Sequence, residues 1–127
     1  MKKPSVSKLK KKLDEIYSRY IRNKYADKDG YVSCVTCTTK KHWKEMQCGH
    51  YISRSHNATR WHDFNCHPQC MRCNVFLKGN MPSYTVFLER MYGAGIVQTL
   101  IDESRKSFPV KAYWLQEQID HFKEIIK

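Results

Sequence analysis

The sequence predicts a small α+β fold: a metal-stapled core of short strands, flanked by a basic N-terminal helix and by C-terminal helices. Three observations predict it. Two Cys-x-x-Cys pairs, Cys34 with Cys37 and Cys70 with Cys73, lie on either side of a 32-residue insert. Short extended segments bounded by turn residues border both pairs. Apolar residues at helical spacing occupy both ends of the chain, Leu9, Leu13, Ile16 and Tyr20 at one and Leu115, Ile119, Phe122 and Ile126 at the other.

A chain of 127 residues is the size of one domain. Its 23 Lys and Arg outnumber 12 Asp and Glu, a net charge of +11 that points to a polyanionic partner, nucleic acid or an acidic membrane surface. No apolar run approaches the ~20 residues a membrane span needs, and the basic start leads into no apolar signal core. The expected location is therefore the cytoplasm, where thiols stay reduced. Six cysteines in that setting favour metal over disulfides.

Residues 1–30 read as the basic helix, 31–80 as the stapled core and 81–127 as a helical extension, all of one domain. Ser7 is placed to cap a helix running to Lys24, with Tyr17 and Ile21 widening its apolar face. The other face carries Lys8, Lys10, Lys11, Lys12, Arg19, Arg22 and Lys24. Such a run is either a solvated face or a phosphate-binding one. Nine basic residues against two acidic ones in the first 25 favour phosphate. Asp27 to Gly30 form a turn. Tyr31 to Val35 form a strand entering the first cysteine knuckle, and Thr38 to Lys41 a turn leaving it. A second strand covers Cys48 to Ile52 and a third Asn65 to Gln69. Between them, Ser53 to Phe64 read as an irregular loop whose Arg54 and Arg60 are placed to hold phosphates. The second knuckle opens a helix near Cys73. After a break at Gly79 to Pro82, helices follow over Tyr84 to Tyr92 (capped by Ser83), Ile96 to Ser104 and Val110 to Ile126. Trp114 and His121 read as packing and surface residues.

Zinc prefers four soft or borderline ligands in a tetrahedron, and Cys-x-x-Cys turns deliver two thiolates to one ion. Cys34, Cys37, Cys70 and Cys73 supply all four. Closed four-thiolate coordination leaves no open position, so this zinc is structural. Cys48 and Cys66 have two readings: buried apolar thiols, or a second site completed by His50 or His67.

If the clamp closes, the strands between its halves fold into a hairpin and bring Asn74 toward His50. Phosphodiester hydrolysis needs a proton acceptor for water and a cation to stabilise charge on the phosphate. Neutral imidazole suits the first role near pH 7, and an amide oxygen suits a hard divalent cation. Asn65 and Asn74 have a plainer reading as turn and helix caps.

The segments Tyr31 to Cys37, Cys48-Gly49-His50-Tyr51-Ile52-Ser53-Arg54, and Asn65-Cys66-His67-Pro68-Gln69-Cys70 resemble the HNH nucleases, also called ββα-metal or His-Me finger. With Met71-Arg72-Cys73-Asn74 and Gly79-Asn80, most of the chain is similar to the NinG (Rap) family of phage recombination proteins, Holliday-junction endonucleases. The resemblance implies a zinc-stapled, treble-clef-like ββα-metal core and metal-dependent cutting of branched DNA. It makes His50 the general base, Asn74 the ligand of a catalytic Mg²⁺ or Mn²⁺, and Asn65 the brace of the catalytic loop. Lys8, Lys11, Lys12 and Arg19 of the basic helix, with Arg54 and Arg60 flanking the site, are the expected DNA contacts. Symmetric junction cutting would need two active sites, hence a homodimer joined through terminal helices, and a phage protein would reside in the host cytoplasm. Many relatives carry Asp before the catalytic histidine. This chain has Gly49 there, and His67, with Asp63 behind it, is the substitute ligand. Two other functions fit the same residues: a non-catalytic zinc module that binds nucleic acid, and an HNH nuclease of restriction or DNA packaging.

Overall fold

A computed structural model describes residues 3–127. Helix α1 spans Val6–Lys24. Its cap is Ser5, not Ser7: Ser5 has extended backbone, and its hydroxyl accepts from the Lys8 amide at 3.2 Å. Leu9, Leu13, Tyr17 and Ile21 form the buried stripe, with Ile16 and Tyr20 at its margin.

Two small antiparallel sheets follow. Strand β1 (Tyr31–Ser33) pairs with β2 (Lys40–His42), Val32 opposite Lys41. Lys40 and Lys41 are thus strand residues, where the sequence suggested a turn. The cysteine knuckle is itself the hairpin loop, closed by Cys34 N–H to Thr39 O at 2.8 Å and Thr38 N–H to Cys34 O at 2.9 Å. Strand β3 (Met46–His50) pairs with β4 (Cys66–Cys70). The expected strand Cys48 to Ile52 lies two residues too late. Met46 is buried opposite Cys70, while the Ile52 backbone is bonded by the Asn65 side chain instead of a partner strand.

The loop after β3 contains a short helix, α2 (Asn57–Arg60), and the second knuckle opens a single π-helical turn, Arg72–Phe76. Helix α3 (Met81–Tyr92) starts earlier than expected because Pro82 fits its first turn, and Ser83 is therefore inside it. Gly79 (φ +94°) and Asn80 (φ +49°) make the left-handed approach to that helix. Helix α4 (Ile96–Ser104) has the expected bounds, and α5 (Ala112–Ile125) is slightly shorter than expected.

The β3–β4 hairpin separates two apolar clusters. On one side Leu9, Leu13, Tyr17 and Ile21 of α1 pack with Cys66 and with Leu115 and Ile119 of α5. Tyr84 and Leu88 of α3 pack with Ile96 and Leu100 of α4 in the other. A third cluster surrounds the cysteine knuckles. Among the described residues no helix is long and apolar enough to cross a membrane.

Candidate functional site

The two knuckles meet. The sulfurs of Cys34, Cys37, Cys70 and Cys73 all lie within 4.8 Å of one another. A tetrahedron with ~2.3 Å metal–sulfur bonds has edges of ~3.8 Å; Cys37 Sγ and Cys70 Sγ are 3.7 Å apart. The cluster is therefore able to hold a structural metal such as zinc. Burial pushes the Cys70 thiol up to about 12. At Cys37 burial opposes ionisation, but hydrogen bonding with the Thr39 side chain and backbone and with the Cys34 and Cys70 sulfurs outweighs it and brings the thiol to about 6. Asn80 Nδ2 reaches Cys73 Sγ at 3.5 Å and helps orient the cluster.

Strand alternation decides what faces what. His50 pairs with Cys66 and Gly49 with His67, so neighbouring residues point to opposite faces of the hairpin. His50 and Cys48 face α1, where Asp14, Tyr17, Ser18, Arg54 and Asn74 complete a cleft of about 340 Å³. His50 Nε2 lies 2.8 Å from the carbonyl of Arg60. A carbonyl can only accept, so Nε2 carries the proton and Nδ1 keeps the lone pair. Burial lowers the His50 pKa, reinforced by the Arg54 charge and opposed by the Arg60 carbonyl and Asp14. The imidazole is thus a neutral acceptor near pH 7. Asn74 donates its Nδ2 to Gln47 Oε1 at 2.7 Å, which leaves its Oδ1 as the amide's accepting atom.

Asn65 is fully buried beneath this wall. Its Oδ1 accepts from Ile52 N–H at 2.8 Å, and its Nδ2 donates to the carbonyls of Ile52 at 3.0 Å and Thr59 at 3.1 Å. One side chain thereby ties the segment after His50 to α2, whose last carbonyl holds the imidazole.

A family model described as Bacteriophage Lambda NinG protein matches residues 1–127. The chain belongs to the NinG family. No curated protein and no solved structure matches it.

Three expectations for this NinG-family chain need correction. His67 is not beside Asn74: it is fully buried on the opposite face of the hairpin, among α3 residues. Tyr84 spends its proton on the Gly49 carbonyl at 2.7 Å and accepts from His67 Nδ1 at 3.0 Å, while Tyr92 Oη lies 2.8 Å from Nε2. Both ring nitrogens are engaged, and burial lowers the His67 pKa to about 4. Asp63 does not back His67 by a hydrogen bond either; it accepts from Tyr17, Tyr20 and Lys24 of α1. Arg60 is not a free phosphate ligand. Its guanidinium forks onto Asp14, with Nε 3.1 Å from Oδ1 and Nη2 2.5 Å from Oδ2.

The basic residues divide by position. Lys8, Lys11, Lys12 and Arg19 are exposed on α1. Lys11, with Lys10 and Ser7, borders a second cleft that shares Asp14 and Arg54 with the first. Arg19 lies 5.5 Å over the Trp43 ring, on another side of the helix. Trp61 packs on Trp114 and donates its indole N–H to Asp14, and Tyr51 bonds Thr85, so both serve packing. Sequence reasoning missed Asp14 as a wall of the His50 cleft. The available signal was a lone acid pair on an otherwise basic helix.

Proposed function

We propose that this NinG-family chain is a metal-dependent DNA endonuclease of the HNH type, acting on branched recombination intermediates. The observation that carries the reading is the His50 imidazole, held by the Arg60 carbonyl in a cleft it shares with Asn74. A β-hairpin followed by a helical turn, stapled by four cysteines, supports the ββα-metal assignment. The preference for branched DNA, and a homodimer that would cut both strands of a junction, rest on the resemblance to junction endonucleases.

In this reading His50 Nδ1 takes the proton of the attacking water. The Arg60 carbonyl keeps the ring in the accepting tautomer, and Asn65 holds the loop that carries that carbonyl. Asn74 Oδ1 is a hard oxygen suited to Mg²⁺ or Mn²⁺, ions that take most remaining ligands from water and phosphate. When bound, such a cation would neutralise charge on the scissile phosphate. Arg54, 62% exposed at the cleft mouth and held to Asp14 only by a 3.7 Å ion pair, unlike the forked Arg60, and Lys11 beside it would provide phosphate contacts. The apolar stripe of α5 is spent on α1, so a dimer through the terminal helices would use exposed residues such as Tyr113.

The test is a synthetic four-way junction incubated with Mg²⁺ or Mn²⁺. The natural chain should nick it, and His50→Ala should bind it with at least a ~100-fold loss of cutting. Cutting by His50→Ala at the natural rate would remove the base from the mechanism. Since the neutral ring is the active form and its pKa is lowered, the acid limb of the rate profile should fall below pH ~6.5. Binding without cutting by the natural chain would favour the non-catalytic nucleic-acid module, and linear duplex cut as well as junction would favour a general HNH nuclease.

A further inference from the structure

Among the described residues, one cluster of metal-ligating side chains lies outside the four-cysteine staple. Cys48 and Cys66 converge with His50, and one donor atom from each lies within 4.8 Å of the others. The hairpin register makes this happen: His50 stands directly opposite Cys66, and Cys48 is two residues back on the same face. Cys66 Sγ and His50 Nε2 both approach the Arg60 carbonyl, at 3.5 and 2.8 Å. Packing against α1 accounts for the burial of Cys66 and the partial burial of Cys48. It demands only apolar volume there, and gives no reason for an imidazole to meet both sulfurs.

We propose that Cys48, Cys66 and His50 form a second metal site for a thiophilic cation such as Zn²⁺, and that filling it takes His50 out of proton transfer. Two thiolates and an imidazole are a soft-to-borderline set that suits zinc and does not suit Mg²⁺. Three protein ligands leave one coordination position, and Cys48 and His50 line the cleft from which water would fill it. The site shares no residue with the staple.

The second half of the proposal rests on the reading of His50 as a base. Its logic does not depend on which ring nitrogen binds. Zinc on Nδ1 occupies the accepting lone pair. Zinc on Nε2 displaces the proton to Nδ1, which then donates instead of accepting. The same cleft would thus hold a working base when only hard cations are present, and a blocked one when free zinc rises.

The full chain, with zinc already in the staple, is titrated with Co²⁺ as a spectroscopic probe. The natural chain should take up one further equivalent with a thiolate-to-cobalt charge-transfer band. Cys48→Ser should lose that band while keeping its staple zinc and its circular dichroism, which report that it folds. His50→Ala should weaken the second equivalent by more than the ~10–100-fold that loss of an outer-shell partner causes. Absence of the band in the natural chain, or its persistence in Cys48→Ser, would overturn the site. Rising Zn²⁺ should then abolish Mg²⁺-supported junction cutting by the natural chain at the concentration that fills the site, and leave Cys48→Ser cutting. Unchanged cutting with the site full would overturn the block. No cutting at any zinc concentration would overturn both the nuclease reading and the block, while the cobalt titration decides the site on its own.

Discussion

Asn65 converts one buried side chain into three backbone contacts, and its amide nitrogen matters as much as its oxygen. Asn65→Ala strands one backbone donor and two carbonyls in a buried place, at a cost of about 3 kcal/mol. Asn65→Asp keeps the shape but turns a carboxylate oxygen toward the carbonyls of Ile52 and Thr59. It should destabilise at least as much as the alanine variant, measured as the shift in urea midpoint. An aspartate variant as stable as the natural chain would show that the two donor contacts carry little. The sequence made Asn65 a candidate brace through resemblance. It could not name Thr59 or Ile52 as the groups braced, because those partners depend on how the loop folds back.

At the scale of elements, the β3–β4 hairpin explains why position 49 has no side chain. A Cβ built on Gly49 would meet Gln69 Oε1 at 1.9 Å and its Cδ at 2.6 Å. Gln69 cannot swing away freely, since its Nε2 donates to Thr36 Oγ1 at 3.1 Å and to the Gly79 carbonyl at 2.9 Å. Position 49 also shares the strand face of His67, away from the His50 cleft. An aspartate there would therefore be overpacked, and the carboxylate on the His50 wall comes from Asp14 of α1 instead. Gly49→Ala should cost about 1–3 kcal/mol in thermal or urea unfolding. A neutral result would mean that the Gln69 amide is not fixed. Most helices were legible from their apolar period, and α4 was legible to the residue. Strand ends were less so: β2 carries two exposed lysines and a single hairpin partner, a pattern that polar turns also show. The single π turn around Cys73 has no period long enough to read.

At the scale of the whole molecule, the staple and the α1–α5 pair do separate work. The staple joins the β1–β2 knuckle to the end of β4, and α1 with α5 covers the hairpin face that holds His50. The apolar core around the knuckles is small, with Val32 and Met46 beside the cysteines. A metal held there would contribute its binding free energy to folding. Chelation strong enough to strip the four-cysteine metal should unfold the β1–β2 knuckle and lower the melting temperature by more than 10 °C. Cys73→Ala should reproduce that loss without chelator. A melt unchanged by metal removal would show that packing alone closes the knuckles.

The sequence by itself determined the four cysteines able to hold a metal, the basic first helix, the helical periods at both ends and the choice of His50 and Asn74 as the pair to watch. These are properties of residue type and spacing, and spacing survives without coordinates. Only the tertiary structure decided that His50 and His67 face opposite ways, that Arg60 is committed to Asp14, and that Cys48 and Cys66 meet at His50. A strand reverses side-chain direction at every residue, so a register set by long-range pairing chooses which neighbours share a face.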